Sequence, residues 1–277
     1  EMSASLVGSE MCIRDRFKNE RKLHTMTKIV ISGANGKMGK TVYSCVSQRN
    51  DCIVSAGIDI NTDKYADFTI YKSPNDLPEK PDVIIDYSHP SCLNKLLEYC
   101  LATGTPVVLA TTGYSDDQIA QIKKASEQIP VFFSWNMSLG INLLVQLAKK
   151  ATAILGNQFD IEIIEKHHNQ KIDAPSGTAL MIANAINETR ENEMKFIYDR
   201  HSRRQKREPN EIGLHAVRGG TIVGVHEVIF AGNDETITIS HSAASKAVFA
   251  EGSVNAAEFI KSKSAGLYDM GNIVESK

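Results

Sequence analysis

Five side chains that can donate protons or hold an anion lie within twelve residues in the second half of the sequence. They are His167, His168, Lys171, Ser176 and Thr178. A histidine titrates near neutral pH and a lysine is positively charged, so His167 and Lys171 could supply a proton and offset negative charge on a reacting group. The segment therefore predicts general-acid chemistry on an anionic substrate.

The Ser176-Gly177-Thr178 triplet follows Pro175 at the predicted start of a helix. The first turn of a helix has N–H groups without intrahelical partners, and two hydroxyls beside them would suit a bound carboxylate. A simple helix cap is the alternative interpretation, which accounts for one hydroxyl but not for the neighbouring cations. Adjacent histidines in a strand point to opposite faces, and no second cluster of ligand residues is present, so we expect no metal site.

A second motif, GANGKMG, carries three glycines spaced G-x-x-G-x-x-G between an apolar run and a helical pattern. Such glycines allow a tight turn, a close approach of the backbone to a pyrophosphate, and close packing of helix on strand. The positive end of the helix dipole then faces the phosphates. We therefore predict a site for a nicotinamide dinucleotide in this turn. The residues assigned to it are Gly33, Asn35, Gly36, Lys37, Met38 and Gly39.

The ends of the later strands should complete the cofactor site, because ligands bind at the carboxyl ends of parallel strands. Asp59 ends the second strand, where an acidic residue would bind the adenosine ribose; a turn aspartate is the alternative. Its charge would repel the 2′-phosphate of NADPH, although Lys37 could offset this, so we expect NADH or NADPH with a preference for NADH. Further cofactor contacts are predicted from Ser88, Thr111, Thr112, Gly113, Asn136 and Met137.

The elements that must position these residues alternate regularly in the first half. Short apolar runs at 28–32, 53–59, 82–88, 106–112 and 131–135 are separated by helical patterns. Continuous apolar strands separated by helices indicate a parallel sheet covered on both faces, and right-handed crossovers make it doubly wound. We therefore predict an α/β protein with a Rossmann-type domain.

The pattern changes after residue 137. A helix over 139–155 leads into a strand over 159–168 and a helix from about Ser176. Three closely spaced strands, 211–218, 221–231 and 235–242, should pair antiparallel in a second, α+β domain with a mixed sheet. We place the Rossmann domain at 26–137, with 246–277 returning to it, and the substrate-binding and oligomerisation domain at 138–245.

Composition excludes several classes of protein. The net charge is −2, which does not favour nucleic acid, and no run approaches the roughly 18 apolar residues of a membrane span. Five cysteines lie scattered without a C-x-x-C pair, as expected in a reducing cytoplasm. The basic run 200–207 is expected to be a solvated loop, and residues 1–25 to be a non-native or disordered leader.

Several segments together resemble dihydrodipicolinate reductase, now called 4-hydroxy-tetrahydrodipicolinate reductase. They are GANGKMG, TTG at 111–113, EKHHNQKIDAPSGTAL, VRGGTIVGVHEV and GLYDM. The resemblance covers about residue 26 to the end of the chain. It implies NAD(P)H-dependent reduction of a small cyclic dicarboxylate in lysine biosynthesis through diaminopimelate. It also implies a homotetramer in which the sheets of the second domain pack together.

The resemblance also implies roles for single residues. His167 and Lys171 match the proposed proton-donor positions of the family. The substrate carboxylate contacts match His168, Lys171, Ser176, Gly177 and Thr178. Two departures, Thr221 where many relatives have Asp and Lys246 where Arg is frequent, leave the chemistry intact but affect loop contacts and assembly. The alternatives are another Rossmann oxidoreductase, such as an amino-acid or semialdehyde dehydrogenase, and a protein that senses NAD(H) without turnover.

Overall fold

The computed structural model describes residues 26–191 and 193–276. The predicted leader, 1–25, therefore lies outside the described residues. The described chain packs as two compact units, one formed by 26–131 with Ala257–Gly266 and the other by Phe132–Ala256 with 267–276. The domain limits expected from the sequence, 26–137 and 138–245, remain a prediction beside this division by packing.

The first sheet has seven strands in the order β3-β2-β1-β4-β5-β6-β12, which for its first six is the strand order of dinucleotide-binding folds. The pairs β1–β2, β1–β4, β4–β5 and β2–β3 are all parallel. This confirms the predicted doubly wound sheet. The strands are β1 (Thr27–Ser32), β2 (Cys52–Ile58), β3 (Thr69–Tyr71), β4 (Val83–Asp86), β5 (Val107–Leu109), β6 (Pro130–Phe133) and β12 (Gly266–Tyr268).

Helices α1 (Lys37–Ser47), α2 (Leu93–Thr103) and α3 (Asp116–Ser126) connect the strands of this sheet. Apolar residues of the central strands are almost fully buried because helices on both faces exclude water from them. The predicted cap signals are present. Gly104 ends α2 in the left-handed conformation with φ 66°, and Ser115 and Gln118 form a reciprocal capping box at the start of α3.

The second sheet has five strands in the order β11-β10-β7-β9-β8. They are β7 (Asp160–His167), β8 (Lys195–Ile197), β9 (Glu211–Arg218), β10 (Gly224–Ala231) and β11 (Thr236–Ala243). The same unit contains helices α4 (Leu139–Leu155), α5 (Gly177–Glu188), α6 (Ala247–Ile260, which ends in the other unit) and α7 (Met270–Glu275). Ile161 and Ile163 of β7 form one core with buried residues of α4 and α5, including Leu144 and Ile182.

The predicted pairing of the last three strands is wrong for β9. Strands β10 and β11 are antiparallel as expected, but β7 lies between β9 and β10, parallel to the first and antiparallel to the second. Five residues, 219–223, connect β9 to β10 across β7, a span of two strand spacings or about 10 Å. The short connection suggested a hairpin, but in the structure β7 lies between the two strands and all three contribute buried residues to one core.

The basic run 200–207 is a loop of mostly exposed residues, as expected, and three of its arginines also bind carboxylates of the second sheet. Arg200 and Arg207 lie 2.7 and 3.1 Å from Oε1 of Glu162. Arg200 and Arg203 lie 2.8 and 3.4 Å from the carboxylate oxygens of Glu211. Burial raises the pKa of Glu162, but hydrogen bonds from His215 and Arg207 outweigh burial and keep the pKa below its ordinary value.

Candidate active site

The glycine turn between β1 and α1 requires glycine at two positions. Gly33 has φ 79°, and a Cβ atom there would lie 2.6 Å from the carbonyl oxygen of Tyr87. A Cβ atom on Gly39 would lie 2.2 Å from the carbonyl oxygen of Gly33. Gly36 is the N-cap of α1 and makes no side-chain cap bond, so the helix N-terminus is built from backbone alone. This turn matches the cradle that a pyrophosphate needs.

Asp59 follows β2 and is directly bound to the glycine turn. Its Oδ2 accepts the backbone N–H of Asn35 at 2.9 Å, and its Oδ1 accepts that of Asn61 at 3.1 Å. The side-chain amide of Asn35 donates in turn to the carbonyl oxygens of Asn61 and Asp63 at 2.7 and 3.0 Å. Asp59 therefore braces the turn, a role that sequence reasoning did not find. Each carboxylate oxygen has a second lone pair with which it could accept a ribose hydroxyl.

The residues predicted after β4 and β5 meet at a buried carboxylate. Asp86, the last residue of β4, is 1% exposed. It accepts hydrogen bonds from the Thr111 hydroxyl at 2.7 Å, the Tyr114 hydroxyl at 3.3 Å and the Ser88 N–H at 3.3 Å. Burial, followed by the charge of Asp86, raises the pKa of Tyr114. Asp86 thus holds both loops in place, while Thr112 and Gly113 stay exposed beyond it.

Asp86 was also missed by the sequence analysis. The signal that could have found it is a charged residue at the end of the apolar run VIID, because a carboxylate is buried only where donors satisfy it.

A second buried carboxylate organises the histidine segment. Along β7, Ile161, Ile163, Glu165 and His167 occupy alternate buried positions of one face, so the apolar stripe ends in two polar residues. Glu165, 1% exposed at its side chain, accepts from Nδ1 of His167 at 2.6 Å. Arg218 at the end of β9 binds both of its oxygens, at 2.8 and 2.7 Å.

The same carboxylate reaches the start of α5. Oε1 of Glu165 accepts the backbone N–H of Ser176 at 3.0 Å. Burial raises the pKa of Glu165, but hydrogen bonds from Arg218 and His167 outweigh burial and lower the pKa below its ordinary value. Glu165 is therefore an anion at neutral pH that joins β7, β9 and the N-cap residue of α5.

Ser176 caps α5 and contacts a third buried polar residue. Its Oγ accepts the N–H of Ala179 at 3.1 Å and lies 3.0 Å from Nε2 of His226. Burial, together with the nearby charge of His167, lowers the pKa of His226 to about 4. The His226 ring is therefore neutral at pH 7. If Nε2 carries the proton and donates it to Ser176, the hydroxyl proton of Ser176 is left for a ligand.

The remaining predicted substrate residues surround this helix start. Lys171 lies 2.8 Å from the Asp173 carboxylate, which also accepts the N–H of Gly177. The Lys171 hydrogen bond is the largest cause that lowers the pKa of Asp173. The Thr178 hydroxyl accepts from the side-chain amide of Asn136 at 2.9 Å, which leaves its own proton available to an acceptor.

The structure brings together two residues that the sequence analysis had assigned to different ligands. Asn136, assigned to the cofactor, contacts Thr178, assigned to the substrate. Met137 is buried, and a Cβ atom on Gly252 would lie 1.7 Å from its carbonyl oxygen, so Met137 is a packing residue of this unit. The backbone N–H of Ser176 already donates to Glu165 and is not available to a substrate carboxylate. The expected substrate contacts therefore come from the two hydroxyls and the cationic side chains.

Three residues of this cluster, Glu165, Arg218 and His226, were not predicted. Arg218 and His226 belong to the motif VRGGTIVGVHEV, which was recognised without a role for either residue. The detectable signal was the position of Glu165 on an otherwise apolar strand face. In residues 26–191 and 193–276, no group of three or more His, Cys, Asp or Glu residues is arranged to hold a metal ion. None of the helices in these residues has the length and apolarity required to cross a bilayer.

Comparison with known proteins identifies a family for this chain. The family model "Dihydrodipicolinate reductase, N-terminus" matches residues 27–137, and "Dihydrodipicolinate reductase, C-terminus" matches residues 140–274. The 4-hydroxy-tetrahydrodipicolinate reductase of Caldanaerobacter subterraneus subsp. tengcongensis is 48% identical over 90% of this chain and 99% of that protein. The enzyme of the same name from Clostridium novyi is 46% identical over 91% of this chain and 100% of that protein.

A solved structure is also similar. The dipicolinate-bound dihydrodipicolinate reductase from Paenisporosarcina sp. TG-14 superposes with a TM-score of 0.76 at 26% identity, covering 90% of this chain and 99% of that one. The predicted fold class and the resemblance seen in the sequence motifs are both confirmed. The chain belongs to the dihydrodipicolinate reductase family.

Proposed function

We propose that this chain is an NAD(P)H-dependent 4-hydroxy-tetrahydrodipicolinate reductase. The observation that carries the proposal is the cluster around Glu165, which holds a histidine and a helix start with hydroxyls in one place. This cluster suits a dicarboxylate that must receive a proton. The Paenisporosarcina relative was solved with dipicolinate, a cyclic dicarboxylate, which supports the same class of substrate.

Substrate binding is assigned to the start of α5 and the loop before it. The hydroxyls of Ser176 and Thr178 donate to a carboxylate, and Lys171 and His168 supply positive charge or further hydrogen bonds. Gly177 lies between the two hydroxyls, and a Cβ atom there would meet nothing within 4 Å, so the space beside it is open. When substrate binds, its carboxylate competes with the Asp173 carboxylate for Lys171 and the N–H of Gly177.

The chemistry requires a hydride and a proton. A nicotinamide cofactor, when bound, would supply the hydride for C4 of the substrate ring, from which the 4-hydroxyl has left as water. The ring then carries negative charge, delocalised as in an enamine, until a proton is added. We assign this proton to Nε2 of His167, because Nδ1 is bound to Glu165. The positive charge of Lys171 offsets the negative charge that develops on the ring, and Lys171 is the second candidate for the proton donor.

The cofactor is assigned to the glycine turn and to the strand ends beside it. Gly33, Gly36 and Gly39 form a cradle that fits the pyrophosphate, and Asp59 is placed to accept ribose hydroxyls. Asp59 is an anion beside the position of a 2′-phosphate, so we infer a preference for NADH over NADPH. The strand-end contacts with the nicotinamide side are assigned to Ser88 and the 111–113 turn.

We further infer a homotetramer assembled through the second sheet. The face of this sheet that points away from α4 and α5 carries half-exposed apolar side chains, namely Ile164, Val217, Val225 and Ile229. A patch of this kind is typical of a surface covered in an assembly. The scattered cysteines suit the cytoplasm, where lysine synthesis through diaminopimelate would take place.

The test is an assay of NADH and NADPH oxidation with substrate made in situ from pyruvate and aspartate semialdehyde. Oxidation that requires both precursors supports the reductase. His167→Gln and Lys171→Ala should each lower kcat by about 10²–10⁴, the usual effect of losing a general acid. Ser176→Ala should mainly raise KM. A folded protein that binds NADH but does not oxidise it with this substrate would refute the proposal.

A further inference from the structure

The Glu165 carboxylate is the meeting point of three segments that come from distant parts of the sequence. His167 lies on the same strand, Arg218 ends the neighbouring strand, and Ser176 begins a helix. Four hydrogen bonds of 2.6–3.0 Å converge on its two oxygens. A buried carboxylate held by a bidentate arginine has one geometry available to it, so its other partners are fixed as well.

Three neighbours restrict the position of the His167 ring. Nδ1 is bound to Glu165, and the ring of His226 lies edge-on at a centroid distance of 5.2 Å. A Cβ atom on Gly224 would lie 3.1 Å from Nε2 of His167, so the glycine leaves just enough room for the ring. Because Nδ1 faces the carboxylate, Nε2 is the nitrogen left to face a substrate.

We propose that Glu165, locked by Arg218, is a positioning residue that aims Nε2 of His167 and anchors the start of α5 at the same time. This inference rests on the proposed function, in which His167 donates the proton and α5 binds the substrate carboxylate. The contact of Glu165 with His167 affects kcat, because only the proton transfer depends on the imidazole ring. The action of Glu165 through the N–H of Ser176 affects KM, because that contact shapes the carboxylate site.

A double-mutant cycle separates this role from a purely structural ion pair. The four proteins are the wild type, Glu165→Gln, His167→Gln and the double variant. We expect Glu165→Gln to lower kcat by about 10²-fold in the wild type, since a misplacement of about 1 Å has effects of this size. In the His167→Gln background the same change should lower kcat less than about threefold, because the ring that it positions is gone. The increase in KM should persist in both backgrounds.

The matched control is Glu211→Gln, which removes the charge of another buried glutamate of the same sheet, bound by arginines of the 200–207 loop. Glu165 lies opposite Ala216, five residues after Glu211 on β9, so the two glutamates are roughly 17 Å apart along the strand at about 3.3 Å per residue. Glu211→Gln should lower the melting temperature with kcat within about twofold of the wild type. If Glu165→Gln does not fold, Arg218→Lys, which keeps the charge but loses the bidentate grip, takes its place in the cycle.

The outcomes distinguish the two levels of inference. Equal losses of kcat in both backgrounds, or a Glu165→Gln enzyme within twofold of the wild type, would overturn the positioning role while leaving the reductase assignment intact. An inactive wild type would instead overturn the proposed function itself. A loss of kcat that vanishes with His167, beside a KM effect that remains, would support the inference.

Discussion

The buried neutral ring of His226 makes stability depend on pH in a direction that can be calculated. The pKa of this histidine is lowered from 6.5 to about 4, first by burial and then by the charge of His167. His241, paired with it across β10 and β11, and Lys171 act in the same direction, while Glu165 opposes them. Between pH 6.5 and 4 the unfolded chain therefore binds a proton that the folded protein excludes, so stability falls as pH falls.

The magnitude follows from the difference between the two pKa values. One pKa unit corresponds to about 1.4 kcal/mol, so the full loss of unfolding free energy is about 3 kcal/mol, reached below pH 4. At pH 5 the loss relative to pH 7 is about 2 kcal/mol. In a His226→Gln variant this contribution is absent, while a glutamine amide can still bind the Ser176 hydroxyl.

Urea unfolding at pH 7 and pH 5 tests this difference. The wild type should lose about 2 kcal/mol more than His226→Gln between the two pH values, because other titrating groups contribute equally to both proteins and cancel. His201→Gln, which changes an exposed histidine, should behave like the wild type. Equal losses in the wild type and His226→Gln would refute the calculation and show that His226 is not kept neutral by burial.

Three further changes have defined outcomes. Gly39→Ala places a Cβ atom 2.2 Å from a backbone carbonyl oxygen, so the turn must open by about 1 Å. Calorimetry should show that NADH binds with a Kd at least tenfold weaker. Gly36→Ala is the control, because its Cβ atom would lie 3.1 Å from the nearest carbonyl oxygen and should weaken binding less. Asp59→Asn removes the charge beside the 2′ position and should shift the ratio of kcat/KM towards NADPH by about tenfold; an unchanged ratio would contradict the ribose role. Thr111→Val removes a donor to a buried carboxylate and should destabilise the protein by about 1.5–3 kcal/mol in urea unfolding, against about 1 kcal/mol for Thr103→Val, whose hydroxyl donates to a backbone carbonyl.

The first sheet could be predicted from sequence because its signals are local. Apolar runs such as IVI in β1 and VII in β4 are buried on both faces, and the helices between them carry their own caps. Each signal depends on a few neighbouring residues and on the physics of water exclusion. The positions of Gly33 and Gly39 follow from the same local geometry, since only glycine fits a turn that the backbone approaches within 3 Å.

The second sheet could not be predicted to the same extent because its order depends on distant segments. The five-residue link after β9 is compatible with a hairpin, and nothing within it indicates that β7 lies between β9 and β10. The order shows only in the folded unit, where β7, β9 and β10 together bury apolar residues against helices α4 and α5. Strand pairing of this kind depends on the whole unit, and the sequence of the connecting residues does not indicate it.

The same distinction explains which residues of the site were found. His167, Lys171 and Ser176 share one short segment, so their types and spacing already suggest chemistry. Glu165 and Arg218 are 53 residues apart in sequence and become partners only because β7 and β9 are parallel neighbours with His167 opposite Arg218. No local sequence pattern indicates the Glu165–Arg218 ion pair, because the pair forms only with the strand order that the sequence analysis did not predict. The unpredicted part of the topology and the unpredicted part of the site have one physical cause, the central position of β7.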